Sequence, residues 1–318
     1  MNSKSSDHAA SDGADLRAIA PDTLLPRFNP AFQTHYNRAT FMFEHGLKDH
    51  PLLDLVELAA LGERLAKNNS VYWSNGPVKI FDKWEAGTVD RLSLAETIKN
   101  IRVNNSLVMM KSVVHDPLLG PVMRRMLTGI IDLVGPALRD DLTNSRATIL
   151  LASPCRVTAY HIDSDVNFLM QVAGNKQFGV HDQADRSVIS DEELERYFEG
   201  DVNGAVFKAD RRQDATNHAL NAGYGVHVPS TAPHWAENGD EVSVAVSFNY
   251  DLRSVERLAP VHRINGRLRR LGFRPGPPGI NRTRDGLKRA AYGLYAAGRK
   301  LAQPGRDARD PTGWTPPA

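Results

Sequence analysis

A succession of short strand patterns between residues 147 and 249 places the strongest constraint on the fold of this chain. Most of these patterns are rich in β-branched or aromatic residues, and turn-forming residues separate them. The patterns lie at residues 147–151, 157–161, 168–172, 177–181, 219–220, 225–229 and 241–249. Many short strands separated by turns are typical of a β-barrel or a double-sheet sandwich.

Helical patterns precede and interrupt these strands. Upstream helices are predicted at residues 50–65, after a capping box that begins at Ser93, and at residues 116–133. A second capping box, at Ser190, predicts a helix between the strands. The stretch 107–113 is the one upstream strand candidate. The chain therefore combines a helical front with a strand-rich core, which indicates an α+β fold.

Changes in pattern divide the chain into five segments. We expect a disordered N-terminus at 1–20, a mainly helical region at 21–145, a strand-rich core at 146–251, a basic helical region at 252–302 and a flexible tail at 303–318. An amphipathic helix is predicted at 284–300, and its apolar side carries Leu287, Ala291, Leu294 and the adjoining Leu301.

The composition favours a globular cytoplasmic protein. A chain of 318 residues, of which 41% are hydrophobic, is long enough to bury a sizeable core. Cys155 is the single cysteine, which excludes an intramolecular disulfide and a cysteine-rich zinc site and fits a reducing compartment. The sequence shows no secretory leader and no uncharged apolar run of about 18 residues, so we expect no transmembrane segment.

The net charge of +2 is distributed unevenly along the chain. Thirteen basic residues against two acidic residues give the segment 253–300 a net charge of +11. Because the charges after Lys300 cancel, residues 1–252 carry −9. The basic segment has three interpretations. It is a helical element with a solvated basic face that serves for packing or for a homodimer through the C-terminal helices, a site for an acidic protein or nucleic acid, or a surface that docks on an anionic membrane.

A histidine and a carboxylate stand one residue apart at the end of one strand pattern. His161 and Asp163 point to the same face of an extended chain, so both can bind one metal ion. His234 lies far downstream, where a Pro-containing turn leads into another strand, and completes a set of two histidines and one carboxylate. That set leaves positions open on Fe(II) for substrate and oxygen. The alternative for each histidine is a structural residue held by hydrogen bonds.

Lys176 ends the turn formed by residues 173–176, which predicts a hairpin between the strands at 168–172 and 177–181. A hairpin would fold its second strand back beside the first. Lys176 would then reach the cavity that holds His161 and Asp163 and would meet an anionic group of a ligand. The alternative is a solvated lysine in a turn.

The ordered set Thr158, His161, Asp163, Asn167, Lys176, His234 and Asn249 resembles the pattern of the JmjC and cupin-like family of Fe(II)/2-oxoglutarate oxygenases. The spacing is nearest to that of the asparaginyl hydroxylase that acts on hypoxia-inducible factor. The sequence Pro233-His234-Trp235 and the Asn238-Gly239 turn are also similar to bacterial cupin-like proteins of the jumonji type. The detailed resemblance covers residues 147–250 and implies a double-stranded β-helix, or jelly-roll, core.

The resemblance implies a role for each matching residue. His161, Asp163 and His234 would bind Fe(II), and Lys176 would pair with the distal carboxylate of 2-oxoglutarate. Thr158 would add a hydroxyl hydrogen bond to this co-substrate, and Asn167 and Asn249 would line its pocket. The implied reaction consumes O2, releases succinate and CO2, and hydroxylates a C–H bond of a protein or peptide side chain or of a small molecule.

The sequence also departs from the asparaginyl hydroxylase. Asp251 stands where that enzyme has an aromatic residue, and residues 107–113 contain no tyrosine to contact 2-oxoglutarate. His181 and His227, on predicted strands, are interpreted as structural or surface residues. The alternative function is a catalytically silent cupin-like module that recruits an acidic partner, nucleic acid or a membrane surface through its basic C-terminus.

Overall fold

A computed structural model of the chain describes residues 24–26, 28–83 and 92–302. The segments predicted to be disordered or flexible, 1–20 and 303–318, lie outside the described residues. The helices are α1 (Ala31–Thr34), α2 (Leu55–Ala66), α3 (Leu94–Lys99), α4 (Gly120–Val134), α5 (Pro136–Arg139), α6 (Asp191–Glu199), α7 (Arg253–Arg270) and α8 (Arg282–Ala302). The strands are β1 (Phe41–Glu44), β2 (Val71–Ser74), β3 (Leu107–Met110), β4 (Leu142–Ala152), β5 (Val157–His161), β6 (Val166–Ala173), β7 (Asn175–Val180), β8 (Thr216–Asn221), β9 (Tyr224–Val228), β10 (His234–Asn238) and β11 (Ser243–Leu252).

The strands form two antiparallel sheets. The larger sheet has the order β1-β9-β6-β11-β4-β3-β2, and the smaller has the order β5-β10-β7-β8. From β4 to β11 the chain crosses repeatedly from one sheet to the other, and each sheet holds four of these eight strands. Eight antiparallel strands shared in this way between two sheets make a jelly roll. The predicted α+β class and double-stranded β-helix core are therefore confirmed, with helices at both ends of the chain.

The hairpin predicted between β6 and β7 is wrong. β6 pairs with β9 and β11 in the larger sheet, whereas β7 pairs with β8 and β10 in the smaller sheet. Both edges of β6 are already occupied, so the chain turns at Gly174 into the facing sheet. Gly174 has a φ of +69°, and a Cβ there would lie 2.6 Å from the Val242 carbonyl oxygen. Glycine suits this corner on both counts.

The region before the jelly roll contributes strands as well as helices. β3 was predicted, and it pairs with β4. β1 and β2 were not predicted, and they form the two edges of the larger sheet. Helices α2 and α4 bury their apolar stripes against the outer face of this sheet, where Leu58 and Met126 join a core that includes Phe168 and Phe248. The upstream region thus covers the outer face of the larger sheet, whose inner face lines the cavity described below.

Capping residues begin several of the helices as predicted. Ser93 and Ser190 each form a complete capping box at the start of α3 and α6. The helix predicted from residue 116 begins at Gly120 instead. Asp116 accepts hydrogen bonds from the backbone N–H groups of Leu118 and Leu119, at 3.0 and 2.9 Å, in the turn before the helix.

The C-terminal helices pack on the jelly roll through α6. Arg269 of α7 forms a bidentate ion pair with Glu195, at 2.8 and 2.9 Å, and Arg270 forms a bidentate pair with Glu199. Helix α8 packs in turn on α7 and confirms the helix predicted at 284–300. Among the described helices, none has both the length and the apolar character needed to cross a membrane.

Candidate metal centre

Two histidines face each other across adjacent strands of the smaller sheet. His161 ends β5, and His234 begins β10 directly opposite it in the ladder. Their ring centroids are 4.2 Å apart. Residues directly opposite in an antiparallel pair have neighbouring side chains, so the strand register by itself brings the two imidazoles together.

Asp163 completes the cluster from a loop. It was expected on the same strand as His161, but it lies beyond the end of β5. The backbone N–H of Thr231 donates to the Asp163 carbonyl oxygen at 2.7 Å, which ties this loop to the turn that leads to His234. Oδ2 of Asp163 is 3.7 Å from Nε2 of His161 and 3.7 Å from Nε2 of His234.

Hydrogen bonds place the proton of both imidazoles on Nδ1. Nδ1 of His161 lies 2.7 Å from the Ala159 carbonyl oxygen, and Nδ1 of His234 lies 2.9 Å from the Ala232 carbonyl oxygen. Because a carbonyl oxygen only accepts hydrogen bonds, Nδ1 carries the proton in each ring, and in the neutral ring the lone pair that can bind a metal is on Nε2. A second hydrogen bond that fixes the tautomer in this way is typical of metal-binding histidines.

The electrostatics of the cluster also suit a cation. Burial, followed by the neighbouring His161, lowers the pKa of His234 to about 4, so its ring is neutral at physiological pH. The nitrogen and oxygen atoms of His161, Asp163 and His234 that can bind a metal all lie within 4.8 Å of one another. Two imidazoles and one carboxylate fit Fe(II) with open coordination positions.

A β-bulge aligns Thr158 with this cluster. Thr158 and His161 are three residues apart, so in a regular strand they would face opposite sides. The pairing of β5 with β10 shifts between His234 and Ala236, which lie opposite His161 and Thr158. The extra residue in β5 allows both side chains to line the same cavity.

All seven residues singled out in the sequence line one cavity of about 300 Å³ between the two sheets: Thr158, His161, Asp163, Asn167, Lys176, His234 and Asn249. Apolar residues of both sheets, including Leu169 and Phe178, form part of its wall. Spacing along the chain and the strand register thus bring together residues from five strands and one loop.

Lys176 places a buried cation in the cavity wall. Its side chain is buried, and no hydrogen bond or ion pair joins its ammonium group to any of the described residues. Burial lowers the pKa of Lys176 from 10.5 to about 8. A buried ammonium without an anionic neighbour is costly to charge, and an anionic ligand in the cavity would offset that cost.

A polar network forms the wall near Asp163, and sequence reasoning missed most of it. Nδ2 of Asn167 donates to Ser247, whose hydroxyl donates to Oδ1 of Asn249. Nδ2 of Asn249 donates to Asp165 at 3.0 Å. The carbonyl oxygen of the buried Asn167 side chain has no partner among the described residues, so it can accept a hydrogen bond from a ligand or water.

Arg146 links this network to Asp251. Its guanidinium donates to Asp165 at 2.7 Å and to Oδ1 of Asp251 at 2.9 Å. Asp251 therefore holds Arg146 at the cavity wall. Asp165 could have been noticed from the run that contains Asp163, whereas the partners of Arg146 lie 19 and 105 residues away in sequence.

The two other histidines that were predicted on strands lie outside the cavity, and His181 follows the end of β7. His227 is fully buried beside Phe168, with ring centroids 4.6 Å apart, and Nε2 accepts a hydrogen bond from the backbone N–H of Asn37. His181 is buried beside Tyr160 and Trp235. Neither ring lines the cavity.

Comparisons with known proteins give structural matches at low sequence identity. No protein-family model and no curated protein matches this sequence. The structure is similar to that of YcfD from Escherichia coli, with a TM-score of 0.48 and 14% identity over 88% of this chain and 69% of that one. A complex of YcfD, a ribosomal oxygenase, with cobalt and 2-oxoglutarate has a TM-score of 0.45 and 15% identity over 89% and 68% of the two chains. Oxalate decarboxylase from Lactobacillus farciminis has a TM-score of 0.24 and 17% identity over 35% of this chain and 25% of that one.

Proposed function

We propose that this chain is an Fe(II)- and 2-oxoglutarate-dependent oxygenase that hydroxylates a C–H bond of a protein or peptide side chain or of a small molecule and releases succinate and CO2. One observation carries the proposal. A cavity of the jelly roll combines two imidazoles whose Nδ1 atoms hydrogen-bond to backbone carbonyl oxygens, a carboxylate 3.7 Å from the Nε2 atom of each, and a buried ammonium without a partner among the described residues.

Each residue has a distinct task in this proposal. His161, Asp163 and His234 hold Fe(II), which with bound 2-oxoglutarate supplies the activation of O2 for the attack on a C–H bond. The hydrogen bonds to the carbonyl oxygens of Ala159 and Ala232 keep the two imidazoles in one tautomer and orientation. Asp163 contributes a negative charge that partly offsets the charge of the cation.

Lys176 and its neighbours bind the co-substrate. The ammonium pairs with the distal carboxylate of 2-oxoglutarate, and the low polarity of its surroundings strengthens that attraction. The hydroxyl of Thr158 donates a further hydrogen bond, and the amides of Asn167 and Asn249 line the pocket. Leu169 and Phe178 reduce the water in the cavity around these polar groups.

A spectroscopic titration tests the proposal. Anaerobic addition of Fe(II) and 2-oxoglutarate should produce a visible charge-transfer band in the wild-type protein, and Asp163→Ala should lose it. Asp210→Ala is a matched control, because Asp210 is exposed and lies outside the cavity, and it should retain the band. A wild-type protein that gives no band would contradict the proposal.

A further inference from the structure

The outward face of helix α8 is apolar. The residues on this face recur every three or four positions, and all are exposed: Leu287, Ala290, Leu294 and Ala297. Leu287 is 70% exposed and Leu294 is 78% exposed. Asp285 and Lys288, on the opposite face, are buried. This orientation is the reverse of an ordinary surface helix, which buries its apolar stripe.

Polar contacts fix α8 in this orientation. Asp285 accepts a hydrogen bond from the backbone N–H of Gly279 at 2.7 Å, and the ammonium of Lys288 donates to Asn265 of α7. The hydroxyl of Tyr292 accepts a hydrogen bond from Arg263 of α7 at 2.8 Å. The helix therefore packs on the protein through its polar side, and the four residues on its outer apolar face remain exposed.

Exposed arginines accompany the outer apolar face. The side chains of Arg274, Arg282 and Arg289 are exposed, and no hydrogen bond or ion pair joins them to any of the described residues. Asp285 is the only acidic residue of α8, and it is buried. This part of the surface therefore presents apolar side chains together with positive charge, within a segment of net charge +11.

We infer that the outer apolar face of α8 docks on a lipid surface that contains anionic phospholipids. An amphipathic helix of this kind lies in the plane of the membrane, with its leucines among the acyl chains and its arginines at the headgroups. The long arginine side chains can reach the headgroups from the flanks of the apolar stripe. The inference is independent of the proposed oxygenase activity.

Two other partners account for only part of this surface. A nucleic acid would use the arginines but would leave Leu287 and Leu294 in water. A second copy of the chain could cover the leucines. However, a symmetric contact would bring two basic segments together, and α8 has no exposed acidic residue to pair with the facing arginines. An anionic lipid surface uses both the apolar and the basic component.

Vesicle co-sedimentation of the full chain tests the inference. The protein should bind vesicles of phosphatidylcholine mixed with phosphatidylglycerol. Its affinity for vesicles of phosphatidylcholine alone should be lower by about tenfold or more. The double variant Leu287→Glu/Leu294→Glu should lose binding. Val56→Glu is a matched control, because Val56 is a 77% exposed apolar residue on α2, and it should bind as the wild type does. Arg282→Gln/Arg289→Gln should weaken binding about tenfold or more.

Circular dichroism should show that each variant remains folded, as expected for changes at exposed positions. Failure of the wild-type protein to bind the anionic vesicles would overturn the inference. Vesicle binding by the Leu287→Glu/Leu294→Glu variant equal to that of the wild type would also overturn it. Light scattering measures the oligomeric state and so tests for a second copy of the chain, and a binding assay with duplex DNA tests for nucleic acid. A wild-type dimer that the leucine variant converts to monomers, without vesicle binding, would assign the face to a second copy. Binding to DNA but not to vesicles would assign the arginines to nucleic acid.

Discussion

The buried ammonium group of Lys176 links the chemistry of the cavity to pH. In the protein without ligand, burial lowers its pKa to about 8, whereas a bound carboxylate would raise the pKa again. Below pH 8 the group is already charged, so ligand binding takes up no proton there. Above pH 8 the free protein has lost this proton, and binding must be accompanied by its return.

We therefore predict that the affinity for 2-oxoglutarate is constant below about pH 8 and falls about tenfold per pH unit above it, until the pKa of the complex is reached. Calorimetric titration of the metal-loaded protein over this pH range checks the prediction. Lys176→Arg provides the control, because a guanidinium stays charged throughout the range and its affinity should not vary. A wild-type affinity that is equally constant would contradict the role of Lys176.

Two carboxylates two residues apart have different surroundings. Asp165 is held by Arg146 and Asn249, whereas the carboxylate of Asp163 faces the two imidazoles. We predict that Asp163→Asn abolishes metal binding and that Asp165→Asn weakens it by about 10- to 100-fold at most, because the hydrogen bonds of Asp165 go to Arg146 and Asn249 and not to a proposed metal ligand. Titration with Co(II), followed by its visible spectrum, compares the variants. Equal losses of Co(II) affinity in the two variants would contradict the assignment of Asp163, and not Asp165, as a metal ligand.

At the scale of secondary-structure elements, the close packing of β7 against β10 maintains the smaller sheet. Gly179 lies opposite Trp235 in the ladder, and a Cβ at residue 179 would overlap the Trp235 indole ring. A glycine is therefore required where the indole crosses the strand.

We predict that Gly179→Ala lowers the free energy of unfolding by about 1–3 kcal/mol, because the buried indole must move. Gly293→Ala is the matched control. Gly293 lies within α8, and a Cβ there would meet nothing within 4 Å, so alanine should raise helix stability by up to about 1 kcal/mol. Urea denaturation measures both changes, and a Gly179→Ala variant as stable as the wild type would refute the packing argument.

The elements also show how far the sequence determines the fold. Most strands of the jelly roll were predicted because β-branched runs and turns mark each one locally. β1 and β2 were missed because both are four-residue edge strands that are recognised by their pairing with β9 and β3. The turn at Gly174 was recognised, but its sequence does not reveal that β7 joins the other sheet, since that choice depends on the partners of β6.

At the scale of the whole molecule, ion pairs attach the C-terminal helices to the jelly roll. Glu195 is buried with a side chain 3% exposed, and it pairs with Arg269. Glu199 is 22% exposed, and its partner Arg270 is 60% exposed. The same kind of bidentate contact thus occurs in two different environments.

We predict that Arg269→Ala destabilises the protein by about 3 kcal/mol or more, because it leaves a buried carboxylate without its partner. Arg270→Ala should cost less than about 1 kcal/mol, since its contact is exposed to solvent. Thermal unfolding of the two variants provides the comparison. Similar losses of stability in the two variants would indicate that the burial of Glu195 adds little to the cost of removing its partner.

The distribution of the candidate site over the molecule explains why only part of it could be predicted. His161, Asp163 and Lys176 lie close together in sequence, and His234 stands in a recognisable context. The contacts of Arg146, Ser247 and Asp251 became apparent only through pairings between strands, because their partners are distant in sequence. The orientation of α8 likewise depends on its contacts with α7, and these contacts could not be predicted from the amphipathic pattern of α8 alone.

Incorporation of oxygen tests the central claim most directly. A cell extract is incubated with the protein, Fe(II), 2-oxoglutarate and isotopically labelled O2, and its proteins, peptides and metabolites are examined by mass spectrometry. The oxygenase account predicts succinate formation together with a product that gains one labelled oxygen atom with the wild-type protein but not with His234→Ala. The same products from both proteins, or the absence of labelled product with the wild type, would contradict it.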